Sequence, residues 1–141
     1  MNHEFFMKKA IREAEKGDFP YGAVIVKDGK IVASGHNTVL RDNDPTAHAE
    51  INVIRSLASK LKNPSLEGHI LYTTCEPCSM CISACIWAGV LRVVYGVSIK
   101  EIIDKVPTQI NLPCKDVINK SFRRIDVEGR VLKNECLKLY G

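Results

Sequence analysis

The chain has 141 residues, of which 45% are hydrophobic and 26% charged, and its formal net charge is +4. This length suits one domain, and the composition excludes disordered, collagen-like and low-complexity chains. Because no apolar stretch reaches the ~20 residues of a membrane span and residues 1–4 lack the features of a secretion signal, we expect a single cytoplasmic domain over residues 1–141 that makes no membrane contact.

The first half of the chain predicts a helix, a hairpin and a second helix. Asn2 is a favourable N-cap for the first helix, which should end by Gly17. Strands are expected at residues 21–27 and 30–34, on either side of an Asp-Gly hairpin turn. A polar loop follows, and Asp44 with Pro45 predicts the N-cap and first position of a helix whose apolar residues recur up to residue 61.

The second half continues the alternation of strands and helices. We expect a strand at 69–74, a helix at 79–88 closed by Gly89 and a strand at 91–95. Beyond these we expect an irregular stretch near 106–107, a short helix at 115–119, a strand at 122–127 and a final helix at 131–140. This order predicts an α/β fold in which helices cover both faces of a mixed sheet.

Four of the six cysteines lie close together in the sequence, at Cys75, Cys78, Cys81 and Cys85. In a small secreted chain they would suggest a disulfide framework, but no secretion signal precedes them. Spacings of three and four residues at a helix start favour metal binding over mutual disulfides. Cys114 and Cys136 are expected to be buried as small hydrophobic residues.

One histidine and two of these cysteines form a candidate zinc site. A catalytic zinc takes three protein ligands and keeps one position open. Cys78 and Cys81 are three residues apart, so their sulfurs share one face of a helical turn, and a helix N-terminus favours the thiolate. His48 would come from the start of the neighbouring helix.

Glu50 is the residue that separates a catalytic zinc site from a structural one. A carboxylate beside a metal site can take a proton from water and pass it to a leaving group. The alternative is a non-catalytic interaction module stabilised by a structural zinc, with Cys75 or Cys85 as fourth ligand. That alternative leaves Glu50 without a role.

These residues resemble a known signature. The pattern His48-x-Glu50 followed by Pro77-Cys78-x-x-Cys81 is similar to that of zinc-dependent nucleobase deaminases. The strings NDPTAHAE (residues 43–50) and CEPCSMC (residues 75–81) resemble the cytidine deaminase-like superfamily. Within it they are most similar to the branch that contains bacterial guanine deaminases and tRNA adenosine deaminases, and the likeness extends from the first helix through Gly96.

The resemblance implies a three-layer α/β/α sandwich with a mixed five-stranded central sheet, usually assembled as a homodimer or larger oligomer. It implies hydrolytic loss of an exocyclic amine as ammonia, with one Zn²⁺ per chain held by His48, Cys78 and Cys81 and with Glu50 as proton shuttle. Asn37 matches the substrate-contacting asparagine of the family, and the backbone N–H of Ala49 would hold the base near the metal.

The sequence favours a free purine such as guanine as substrate, because Tyr21 and Trp87 resemble the guanine deaminase pattern and an aromatic face can stack on a base. Tyr21 could equally pack in the core, and Trp87 in the core or a dimer interface. Against guanine, Pro107-Thr108-Gln109 stands where such enzymes carry Phe-Asp-Asp.

Two other substrates stay open. The C-terminal segment resembles that of tRNA adenosine (A-to-I) deaminases, although it lacks their long basic helix. The last third also has an excess of positive charge. This charge would suit RNA binding, but it is equally typical of an ordinary solvated surface. The residues concerned are Lys115, Lys120, Arg123, Arg124, Arg130 and Lys133. A cytosine-type pyrimidine deaminase is the remaining alternative.

Overall fold

The computed structural model describes residues 2–141 and is built around a five-stranded mixed sheet. Its strands are β1 (Gly22–Lys27), β2 (Lys30–His36), β3 (Ile70–Cys75), β4 (Arg92–Val97) and β5 (Asp126–Glu128). They lie in the order β2-β1-β3-β4-β5. Strand β1 is antiparallel to both of its neighbours, whereas β3, β4 and β5 run parallel. The predicted α/β fold with a mixed five-stranded sheet is confirmed.

Helices cover both faces of the sheet. They are α1 (His3–Ala14), α2 (Ala49–Leu61), α3 (Ser79–Ala88), α4 (Ile99–Ile102), α5 (Cys114–Asn119) and α6 (Lys133–Leu137), and a 3₁₀ turn follows at Lys138–Tyr140. Apolar residues of α2, α3 and α5 form one core with the sheet, and those of α1, α4 and α6 form the other. Within residues 2–141, no helix has the length and apolar character that crossing a membrane requires.

Local sequence explains the first elements well. The side chain of Asn2 accepts a hydrogen bond from the backbone N–H of Phe5 at 3.0 Å and so caps α1. Asp28 and Gly29 both have positive φ, of 51° and 76°, which matches the twist of a two-residue hairpin. Helix α1 then packs closely on β1 at Gly22.

The predicted start of α2 at Asp44 is wrong. The Asp44 carboxylate accepts the backbone N–H of Thr46 at 2.8 Å, which makes a local turn in the loop instead of capping a helix. The helix begins at Ala49, and its N-cap His48 is extended, with φ −71° and ψ 158°. This delay is what leaves the His48 side chain at the end of a loop.

The last third departs most from expectation. A strand was expected at 122–127, but only the three residues of β5 form one. The reason is that the Arg123 side chain binds the C-terminal end of α3. Its guanidinium donates to the carbonyls of Cys85, Ile86 and Val90 at 2.9–3.0 Å. The single helix predicted at 131–140 is divided into α6 and the 3₁₀ turn. Helix α4, which Ser98 and Glu101 cap together, was not predicted.

Candidate active site

Two helix N-termini and the end of β3 meet at one place. His48 is the N-cap of α2 and Cys78 is the N-cap of α3, and both have extended backbone conformations. Neither side chain caps its own helix. Both are therefore available to a common ligand, and the third candidate, Cys81, lies one turn further along α3.

The spacing of these three side chains fits a zinc ion. The Nδ1 atom of His48 lies 3.7 Å from the sulfur of Cys78 and 3.6 Å from the sulfur of Cys81. A tetrahedral zinc with bonds of about 2.3 Å to sulfur and about 2.0–2.1 Å to nitrogen places such donors about 3.6 Å apart. Within residues 2–141, no further histidine, cysteine or carboxylate joins this group of mutually close donors. The set thus offers three ligands, as a catalytic zinc requires.

Shared hydrogen bonds make the pKa values of the three side chains depend on one another. A hydrogen bond from the Cys81 thiol, together with one from His48, lowers the pKa of Cys78 to about 4, although burial opposes this shift. The hydrogen bond to Cys78 correspondingly raises the pKa of Cys81, and it also raises the pKa of His48. The lowered pKa favours the thiolate form of Cys78, which is the form that binds zinc.

Glu50 lies beside the triad and is only 5% exposed. Burial raises its pKa to about 7, with a further contribution from the Cys78 charge, and a hydrogen bond from the Thr73 hydroxyl works in the opposite direction. A divalent cation next to this carboxylate would favour its ionised form. The group can therefore hold or release a proton near neutral pH.

A cavity of about 270 Å³ opens onto His48, Cys78 and Glu50. Asn37 lines it and is 4% exposed; its side-chain oxygen accepts the N–H of Val39 at 3.1 Å, which leaves the amide nitrogen for a ligand. Tyr21 also lines it and packs against the ring of Tyr140, with 5.2 Å between centroids. The remaining lining residues are Phe19, Val39, Pro45, Cys75, Glu76, Val106, Thr108 and Gln109.

Two residues expected to contact substrate do not line this cavity. Ala49 is buried directly after His48. Trp87 is 76% exposed and packs on Phe122 at the surface, with 5.3 Å between ring centroids. It lies six residues beyond Cys81, so α3 carries it about 9 Å along the axis and about 240° around it. The structure thus places Trp87 at the surface and outside this cavity.

Sequence reasoning did not assign a substrate role to most of the cavity wall. Cys75 and Glu76 directly precede the Pro-Cys-x-x-Cys segment, and this adjacency was the available signal. Thr108 and Gln109 come from an irregular segment that is distant in sequence from the triad. The resemblance to guanine deaminases was the signal for this position, because Pro107-Thr108-Gln109 stands where those enzymes carry Phe-Asp-Asp. Cys85, Cys114 and Cys136 are buried free thiols, as expected for Cys114 and Cys136.

Comparison with known proteins agrees with this geometry. Residues 1–97 match the model of the cytidine and deoxycytidylate deaminase zinc-binding region. The chain belongs to this deaminase family. The family supports a zinc-dependent deaminase, and His48, Cys78 and Cys81 form a triad that could bind its single zinc.

The family's members similar to this chain act on different molecules. A guanine deaminase from Bacillus subtilis (strain 168) is 50% identical over 101 residues, which are 68% of this chain and 65% of that protein, slightly less than two thirds. A tRNA-specific adenosine deaminase from Buchnera aphidicola subsp. Baizongia pistaciae is 40% identical across 96% of this chain and 84% of its own length. A solved tRNA:A34 deaminase, 33% identical, superposes with a TM-score of 0.74 over 96% of this chain and 98% of that one. Family membership therefore restricts the chemistry without deciding the substrate.

Proposed function

We propose that this chain removes an exocyclic amino group from a nucleobase by hydrolysis and releases ammonia, with a free purine such as guanine as substrate. The observation that carries the proposal is that two members of the triad, His48 and Cys78, open together with the Glu50 carboxylate onto one small cavity. A structural zinc site would not need a buried acid beside it.

Glu50 would perform the proton transfers. A zinc ion in such a site supplies a Lewis acid that makes water nucleophilic at neutral pH. Glu50 would take one proton from a water molecule and deliver it to a ring nitrogen as the hydroxyl adds to the carbon that bears the amine. It would then take the second proton, from that hydroxyl, and deliver it to the amine, which departs as ammonia when its bond to the carbon breaks. A shuttle works best when its pKa lies near the working pH. Burial raises the pKa of Glu50 towards that range, and a zinc ion beside it would favour the ionised form that takes the first proton.

Three further groups would hold the base. The amide nitrogen of Asn37 can donate to an acceptor on its polar edge. The ring of Tyr21 offers an aromatic surface for stacking. The backbone N–H of Ala49 is in the first turn of α2, where N–H groups have no acceptor within the helix.

The charges around the cavity favour an uncharged base over a phosphate-bearing substrate. Among the described residues that line it there is no lysine or arginine, whereas Glu50 and Glu76 both contribute carboxylates. A phosphate bound there would find no lysine or arginine with which to pair. The volume of about 270 Å³ also suits a small molecule.

Three of the six basic residues noted in the last third have partners within the protein. Arg123 donates to three carbonyl groups at the end of α3. Lys133 forms an ion pair with Glu101 at 2.7 Å, and Arg130 approaches the same carboxylate at 3.9 Å. The positive bias noted in the sequence is thereby reduced, which supports a free base over an RNA stem.

A tRNA adenosine is the second candidate substrate. The tRNA-specific relative from Buchnera aphidicola aligns across 96% of this chain, whereas the guanine deaminase from Bacillus subtilis aligns across 68%. A cytosine-type base is a third, since the matched family model is that of cytidine and deoxycytidylate deaminases.

An ammonia-release screen distinguishes these substrates. It would compare guanine, adenine, cytosine, their nucleosides and a tRNA anticodon stem-loop, each at two salt concentrations. We expect turnover of guanine that salt does not change, since a neutral base releases no counterions on binding. Turnover confined to the stem-loop and steeply reduced by salt would refute the free-base proposal.

The proposal also covers the oligomeric state and the cellular location of the enzyme. We propose that residues 1–141 form one zinc-dependent deaminase domain that works as a homodimer in the cytoplasm. Light scattering after size exclusion tests the dimer: a mass near 31 kDa, twice the 15.7 kDa of the chain, is expected, and a monomer at working concentration would contradict it.

A further inference from the structure

We propose that Glu76 is a positioning residue that holds segment 103–113 in place as one wall of the cavity. Its side chain is buried, at 6% exposure. One carboxylate oxygen accepts the backbone N–H of Ile99 at 3.0 Å, and the other accepts the N–H of Cys114 at 2.7 Å. Its own backbone N–H donates to the carbonyl of Val97 at 2.8 Å. Glu76 thus links the end of β4 to two later parts of the chain.

Both N–H groups that Glu76 accepts belong to the first residues of helices. Ile99 begins α4 and Cys114 begins α5, so the two contacts lie on either side of segment 103–113. Helix α5 has no side-chain cap from its own N-cap residue, Pro113. The Glu76 carboxylate takes that place, satisfying an N–H that would otherwise have no acceptor in the helix.

Segment 103–113 needs such an anchor because its own hydrogen bonds are local. The N–H groups of Lys105 and Val106 donate to Ile102 at 2.8 Å, and that of Leu112 donates to Ile110 at 2.9 Å. These bonds shape the segment without attaching it to the sheet. Glu76 attaches it at both ends by way of α4 and α5.

The segment faces the proposed substrate site. Val106, Thr108 and Gln109 line the cavity. The side-chain oxygen of Gln109 accepts the N–H of Ile110 at 2.9 Å, so its amide nitrogen is left to donate to a ligand. The triad lies on the other elements, at α2 and α3. Loosening the segment should therefore weaken substrate binding while the zinc donors stay in place, a consequence that rests on the proposed function.

The variant Glu76→Gln tests this role. Its amide has only one oxygen, so one of the two N–H groups loses its acceptor and meets an NH₂ group instead. We expect KM for guanine to rise about tenfold or more, kcat to change by less than about threefold, and zinc to stay at one per chain. We also expect amide hydrogen exchange across 103–113 to accelerate about tenfold or more, while exchange in β3 stays unchanged.

Glu101→Gln is the matched control. The Glu101 carboxylate accepts the N–H of Ser98 and so also supports the start of α4. It contacts neither Cys114 nor the cavity. We expect this variant to leave KM and the exchange of segment 103–113 close to wild type.

Three results would overturn the inference: unchanged exchange across 103–113 in Glu76→Gln, a fall in kcat at constant KM, or equal effects in Glu101→Gln. If Glu76→Gln does not fold, exchange in the wild-type protein decides. The amides of Ile99 and Cys114 should then exchange as slowly as those of β3, and fast exchange would refute the anchor. If wild type releases no ammonia from guanine, the proposed substrate fails, while the exchange measurements still decide the role of Glu76.

Discussion

Replacing Glu50 by glutamine is the most direct test of the proposed chemistry. The amide preserves the size of the side chain but cannot take or deliver the proton. General acid–base catalysis contributes about 10²–10⁴-fold to a rate. We expect the loss of kcat in Glu50→Gln to lie in the upper part of this range. Glu50 would serve more than one proton transfer, and it is buried, so bulk water cannot readily replace it. A 10⁴-fold loss of kcat corresponds to about 5.4 kcal/mol of transition-state stabilisation.

The assay needs three measurements on the same preparation. Steady-state ammonia release from guanine gives kcat, metal analysis gives zinc per chain, and thermal unfolding reports the fold. Glu50→Gln should keep one zinc per chain, since His48, Cys78 and Cys81 are unchanged. It should also retain the melting temperature of wild type or exceed it, because an uncharged amide is less costly to bury than a carboxylate.

Two outcomes would refute this reasoning. A loss of kcat smaller than about tenfold would show that another group moves the protons. Loss of zinc together with activity would show that Glu50 supports the metal site instead of the reaction. Glu101→Gln serves as the control, because it removes a carboxylate that lies outside the cavity. It should behave as wild type in the ammonia and zinc assays.

Three further predictions concern the metal, the packing and the response to acid. Cys81→Ser should weaken zinc binding by more than about 100-fold in a chelator titration, since a hydroxyl does not replace a thiolate ligand. Gly22→Ala should lower the free energy of unfolding, measured in urea, by about 3 kcal/mol or more, because a Cβ at this position collides with the backbone of α1. In the control Gly29→Ala the space is open and only the positive φ is unfavourable, so the loss should be about 1 kcal/mol. Although burial opposes this shift, Lys133 lowers the pKa of Glu101 from its ordinary 4.5 to about 2. The ionised carboxylate therefore stabilises the fold above pH 4.5, and this stabilisation is lost as the pH falls towards 2. Glu101→Gln should remove that part of the acid sensitivity in unfolding curves measured between pH 5 and pH 2.

The triad could be predicted from sequence because its geometry is local. Cys78 and Cys81 are one turn apart at the start of α3, and His48 with Glu50 stands at the start of α2, so short-range spacing already places each pair. The same holds for the hairpin at Asp28, where the two residues of the turn determine the connection.

The departures from expectation arise where a side chain is used differently from what its residue type suggests. Asp44 has the residue type of an N-cap, but its carboxylate is used by Thr46 within the loop, and the helix starts later. Arg123 was assigned to a strand, yet its guanidinium binds the end of α3, more than thirty residues earlier in the chain. Trp87 is a suitable residue type for stacking on a base, but the helix turns it to the surface. For Arg123, the local sequence does not reveal the partner.

The cavity wall comes from two parts of the chain, and this arrangement allows one part to change without the other. The matched family region ends at residue 97 and contains the triad, Glu50 and Asn37, whereas Val106, Thr108 and Gln109 lie beyond it. The two parts meet at Glu76, which lies in the matched region and accepts the N–H of Cys114 beyond it. Because that contact uses a backbone group, the side chains of segment 103–113 can vary without losing the anchor. One scaffold could thus keep the triad and Glu50 in place while segment 103–113 presents different donors and acceptors to a base.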